Sequence, residues 1–266
     1  MEIIGFIAAI FIGISLGLIG GGGSILTVPV LVYLIGVEPV LATAYSLFIV
    51  GSASLVGMLQ KYKQGLVSIK TAIVFAIPAF IAVYLTRYFI VPAIPDSIFT
   101  WGSFELSKNL AVMLFFALIM LTAAISMIRK KNALAEKEDE VIQFNYPKII
   151  IEGAIVGLLT GLVGAGGGFL IIPALVLLAK LPMKMAVGTS LFIIAVKSLI
   201  GFVGDIQSGQ EIDWLFLLSF TSCAIVGIFV GSYLSRFISG QKLKKGFGWF
   251  VLIMAVYILT KELLFQ

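Results

Sequence analysis

Two glycine clusters carry the chemistry available to this sequence. Gly20, Gly21, Gly22 and Gly23 lead into Ser24, and Gly164, Gly166, Gly167 and Gly168 form the second cluster; each lies between apolar runs. Glycine leaves neighbouring backbone N–H groups open to a ligand because no Cβ stands in the way. Each cluster precedes a short apolar run, Ser24–Val37 or Phe169–Leu181, of 13 or 14 residues. At 1.5 Å per residue such a run makes roughly 20 Å of helix, too short to cross a bilayer. Each is therefore predicted to be a half-helix that begins within the membrane after a non-helical glycine turn. A helix N-terminus offers unpaired N–H groups and about half a positive charge, which together suit an anion.

Hydroxyl groups extend the candidate binding set: Tyr45 and Ser46 recur as Thr189 and Ser190, and all four can donate to an anion. Lys197 lies near the middle of the apolar run from Met185 to Val203, and an ionisable residue at that depth is a candidate for a substrate or ion path. Plainer readings stand beside these. Glycines also let helices pack closely, hydroxyls bond back to their own helix carbonyls, and a lysine stem can reach an interface. Arg87 and Arg236, each closing a YL[TS]R tetrad, read as interface anchors.

The elements that position these groups must be membrane helices. Hydrophobic residues make up 61% of the chain and charged residues 12%, with a mean hydropathy of +1.16; a soluble domain carries about 25% charged residues. Apolar runs extend over Ile3–Ile19, Val40–Leu59, Leu66–Val91 and Leu110–Ile128, and with breaks from Ile149 to Leu259. Histidine is absent and Cys223 is the single cysteine, so there is no disulfide framework, no imidazole relay and no metal set. With no carboxylate pair either, an enzyme is not expected, nor a cofactor. The N-terminal run lacks a basic leader and reads as a retained membrane segment. The net charge of +5 lies mostly in loops, so it reports orientation and not nucleic-acid binding.

The chain is built twice. Gly17 to Gly65 aligns without a gap on Gly161 to Gly209, 144 positions later, with 19 of 49 positions identical, among them Pro29 with Pro173 and the SLFI at Ser46 and Ser190. Loop charge changes sign between equivalent places. Lys61, Lys63 and Lys70 correspond to Asp205, Glu211 and Asp213, and Glu38 to Lys180 and Lys184; the mixed Asp96, Glu105, Lys108 stretch corresponds to Lys242, Lys244 and Lys245. Placing the basic loops in the cytoplasm puts both termini outside and the linker inside. The expected fold is an all-α integral membrane protein of two inverted-topology repeats, each a glycine-broken hairpin plus three spanning helices, in about 8 to 10 membrane segments. The repeats are set at residues 1–131 and 149–266, with a cytoplasmic linker at 132–148. Inversion would bring the two glycine turns toward one centre.

The paired GLIGGGGSILTVP and GLVGAGGGFLIIP, with AVGTSLFIIAVKSLIGFVGDIQSGQEIDW at Ala186, resemble the TauE/SafE family of sulfite exporters and related anion permeases over nearly the whole chain. The resemblance implies a cell-membrane permease that moves sulfur-containing anions such as sulfite or organosulfonates. It carries over to the two glycine turns and to Thr189 and Ser190. Two positions depart from the family pattern: Lys197 stands where a small hydroxyl residue is common, and Asp205 where a histidine is common. The expected activity is export by alternating access around a central anion site, the partners being a small anion, the lipid bilayer and a possible second copy of the chain. An anion channel and a non-transporting membrane scaffold are the alternatives.

Overall fold

The computed structural model describes residues 2–101, 104–129, 146–163, 168, 171–172, 175, 181–235, 237 and 240–264. Helix α1, Glu2–Ile19, leads through Gly20 into a short composite helix, α2, over 21–35. Spanning helices α3 (Pro39–Lys63) and α4 (Ile69–Ala93) follow. A small antiparallel hairpin, β1 (Ser97–Trp101) with β2 (Phe104–Ser107), departs from the all-α expectation within the stretch carrying Asp96, Glu105 and Lys108. Then come α5 (Lys108–Arg129), α6 (Tyr146–Val163), α7 (Met183–Gln207), α8 (Trp214–Leu234) and α9 (Gly240–Leu264). Helix α6 thus begins inside the predicted linker, and the rest of that linker lies outside the described residues.

Length and surface both fit a bilayer. Among the described residues α3, α4, α7 and α8 are long and apolar enough to cross a membrane, and four further apolar helices are shorter. Helix α4 turns a stripe of isoleucine and leucine outward: Ile69, Ile73, Ile77, Ile81 and Leu85 are each between 42% and 47% exposed, while Ala72, Ala76 and Ala79 are buried. Small residues face the protein because, with apolar solvent outside, close backbone packing is what holds helices together.

Glycines set the register of that packing. A Cβ on Gly13 would fall 2.9 Å from the Cα of Gly227, and one on Gly17 would fall 2.5 Å from the carbonyl oxygen of Ile228, so α1 and α8 run parallel. Gly153 and Gly161 of α6 press in the same way on Phe75 and Thr86 of α4, again parallel. Helices α3 and α7 are antiparallel, since Gly51 meets Leu199 while Gly188 meets Lys61. Each half therefore embraces the other: its first helix lies on the fourth helix of the other half, and the third helices pack together.

The breaks repeat as faithfully as the helices. Helix α3 ends with Gly65 at φ 70°, where Leu66 N donates to Lys61 O at 3.0 Å; α7 ends with Gly209 at φ 87°, where Gln210 N donates to Asp205 O at 3.2 Å. Both are the glycine C-cap that closes a helix with a bond spanning its last turn. One bond at the end of α2 repeats too: Val37 N donates to Leu31 O at 3.0 Å, and at the equivalent place Leu181 N donates to Leu175 O at 3.1 Å.

Candidate functional site

The first glycine cluster forms the bend of a hairpin that turns back. Gly23 packs beside Leu16, and Gly5, near the start of α1, lies beside Ile35 at the end of α2, so α2 retraces α1. The glycine run is itself helical, which corrects the expectation of a non-helical turn. Only Gly20, at φ 74°, lies outside regular structure, and Gly21–Leu26 is a 3-10 helix. Three consecutive glycines favour the tighter coil because no side chains eclipse at i and i+3. No side chain caps this helix start, so its first N–H groups keep no helical partner. The hydroxyl of Ser24 donates to Gly21 O at 2.6 Å and is thus engaged within its own turn.

Around this buried bend the structure gathers residues from the second half. A Cβ on Gly20 would stand 3.1 Å from Ser190 Oγ, and one on Gly21 would stand 2.8 Å from the carbonyl carbon of Gly168 and collide with its Cα. Gly21 also faces Ile194 of α7. The first turn and the one described glycine of the second therefore touch, backbone on backbone. Gly164, Gly166 and Gly167 lie outside the described residues, as do Arg236, Phe169 and Pro173.

Lys197 sits one helical turn beyond Ile194, only 1% exposed, and its Nζ donates to Thr160 Oγ1 at 2.8 Å. Thr160 belongs to α6, just before the second glycine cluster. Five buried hydroxyls have no hydrogen-bond partner among the described residues: Thr27 in α2, Ser46 and Ser54 in α3, Ser198 in α7 and Ser232 in α8. Ser46 with Ser190 and Ser54 with Ser198 occupy equivalent places in the repeat. A buried hydroxyl without a partner costs about 1–3 kcal/mol, so such groups call for a ligand or water.

The other predicted hydroxyls are engaged. Ser190 Oγ donates to Val187 O at 2.8 Å, the back-bond to its own helix. Thr189 Oγ1 accepts from Ser68 N at 2.9 Å, and Tyr45 OH accepts from Asp213 N at 2.8 Å. Ser68 and Asp213 are the N-cap residues of α4 and α8. The recurrence of Tyr45 as Thr189 thus has a structural reason: each third helix holds the start of the other half's fourth helix. Both hydroxyls keep a proton to donate. Tyr45→Phe and Thr189→Val are each expected to cost about 1 kcal/mol and to lower the thermal midpoint by similar amounts, adding nearly independently because the contacts lie apart. A scan of both single variants and the double variant in detergent checks this.

Arg87 corrects the sequence reading. It is fully buried and not an interface anchor: its Nη1 donates to Thr43 Oγ1 at 2.8 Å and lies 3.4 Å from Asp205 Oδ1. The missed signal was an arginine and an aspartate of opposite charge within apolar runs of different halves. At the place equivalent to Asp205, Lys61 belongs to the last turn of α3 and not to a loop; it is 7% exposed and its Nζ lies 3.3 Å from Ser235 Oγ. An open cleft beside it is lined by Gln60, Lys63, Gln64, Phe229, Ser232 and Tyr233.

Lipid-sized helices, an apolar exterior and polar groups assembled inside define a multi-pass membrane protein with a polar interior. Residues 5–258 match the family described as sulfite exporter TauE/SafE, and the chain belongs to that family. Relatives named as probable membrane transporter proteins include one from Xylella fastidiosa (strain 9a5c), 28% identical over 94% of this chain and 92% of its own length. YunE of Bacillus subtilis is 30% identical over 87% of this chain and 89% of its own length. No solved structure matches the chain. Family and relatives together indicate a membrane transporter, a class whose members are generally not enzymes.

Proposed function

We propose that the chain exports a sulfur-containing anion, such as sulfite or an organosulfonate, across the cell membrane by alternating access between two inverted halves, residues 1–131 and 149–266. The observation that carries this reading is the contact of Gly21 with Gly168. It joins an uncapped helix start from one half to the glycine cluster of the other, beside Ser190 and one turn from the buried amine of Lys197. The antiparallel packing of the equivalent helices α3 and α7 supports inversion, because a two-fold axis that reverses a spanning helix must lie in the membrane plane. The returning hairpin of α1 and α2 supports an odd number of crossings per half. The family name supports sulfite as the substrate to try first.

Direction follows from charge. An anion crossing an interior-negative membrane gains about 2.3 kcal/mol per 100 mV outward, so export needs no coupling ion. In proteoliposomes loaded with sulfite, an interior-negative potential is expected to accelerate efflux and an interior-positive one to slow it. Wild-type vesicles that leak sulfite no faster than protein-free ones, at either potential and with ethanesulfonate as well, would overturn the reading. Conductance resolved as single-channel current would favour the channel alternative.

A further inference from the structure

Arg87 is a buried guanidinium with three of its five N–H donors idle among the described residues. One nitrogen, Nη1, serves both partners, Thr43 Oγ1 and Asp205 Oδ1, while Nε and Nη2 have no hydrogen-bond partner among the described residues. Asp205 Oδ2 has none either. The ion pair is a single contact at 3.4 Å, where a well-made arginine–carboxylate pair forms two parallel bonds of about 2.7–2.9 Å. Burying a charge this incompletely is expensive. The unused Nε–Nη2 edge is the planar two-donor fork that takes two oxygens of one oxyanion side by side.

The site joins both halves. Arg87 projects from α4 and Thr43 from α3 of the first half, whereas Asp205 comes from α7 of the second. Space for the side chain depends on Gly204, whose added Cβ would stand 3.1 Å from Arg87 Cβ. The place belongs to neither glycine cluster. It lies where the end of α4 meets the end of α7, whereas Lys61 and Ser235 meet at the ends of α3 and α8.

We propose that Arg87 is a second anion subsite, binding an oxyanion through its Nε–Nη2 edge, with Asp205 on Nη1 as the built-in opposing charge that keeps this binding weak. It deepens the transport reading on which it rests: an anion leaving the central site would be held at the open edge of Arg87, loosely because of the Asp205 carboxylate on Nη1. A monoatomic ion such as chloride can bridge the two N–H groups but cannot give each its own acceptor, so the subsite would prefer oxyanions.

Sulfite and chloride titrations of the purified full-length protein by calorimetry test it, with D205N, R87K and the double variant R87Q/D205N. Removing the opposing charge in D205N is expected to tighten sulfite binding by about tenfold and chloride binding by less. R87K keeps the charge but loses the fork, and is expected to weaken sulfite by roughly tenfold or more. If R87K does not fold, R87Q/D205N removes both charges together and is expected to fold without the tighter sulfite binding of D205N. A purely structural ion pair gives the opposite pattern: D205N lowers the thermal midpoint and sulfite affinity stays level or falls, which would overturn the proposal. Failure of the wild type to transport sulfite would sink the transport reading alone, because a freed Arg87 in D205N binds sulfite whether or not the protein moves it.

Discussion

Lys197→Met is expected to raise the thermal midpoint of the protein while cutting sulfite transport by about a hundredfold, the loss expected when one buried charged contact of roughly 2–5 kcal/mol is removed. The two effects have opposite signs for one reason. Lys197 is 1% exposed, and its hydrogen-bond partner is a neutral hydroxyl, Thr160 Oγ1. A buried amine without a carboxylate partner is a net burden on folding in either protonation state, so an apolar side chain of similar volume is expected to stabilise the fold. The equivalent residue of the first half is Ala53, so the architecture does not require a cation there. Efflux per reconstituted protein and a thermal scan on the same preparation are the two measurements. Transport at the wild-type rate from a stabilised variant would remove Lys197 from the anion path.

Much of this arrangement is legible in the sequence because a duplication writes its constraints twice. The 19 identities between the halves include three glycines of each turn, Gly20, Gly22 and Gly23 with Gly164, Gly166 and Gly167, the two C-cap glycines Gly65 and Gly209, and the serine pairs Ser46 with Ser190 and Ser54 with Ser198. Loop charge adds direction, and the antiparallel contact of α3 with α7 agrees with it. The illegible features are those in which the halves differ. Arg87 and Asp205 pair across the halves, yet the position equivalent to Asp205 holds Lys61, so no repeated pattern marks the pair. Periodicity says that a residue lies in a membrane helix. It does not say which face a single arginine takes, and a YL[TS]R tetrad near a helix end looks the same as anchor or as core. The roles of Tyr45 and Thr189 were hidden for a related reason: their partners are backbone N–H groups of Asp213 and Ser68, which every residue possesses.

Gly21→Ala is expected to be among the most damaging single methyls in the first half, with a loss of transport of about a hundredfold or more and a lowered thermal midpoint. Its added Cβ would stand 2.8 Å from the carbonyl carbon of Gly168 and nearer still to its Cα. A side chain in that place could rotate away, but a backbone cannot, so the two turns must part. Gly168→Ala strikes the same contact from the other half and is expected to match it. Gly36→Ala and Gly65→Ala provide the comparison. Both sites have positive φ, at 83° and 70°, but open space around the missing Cβ; left-handed strain alone costs about 1–2 kcal/mol. These two should therefore lose some stability and keep the wild-type transport rate. If Gly21→Ala behaves like Gly36→Ala, the turns do not need their contact in the working protein. If transport fails in Gly21→Ala molecules that remain folded, the contact is where movement of one half is communicated to the other, since no other described pair of glycines joins the two clusters.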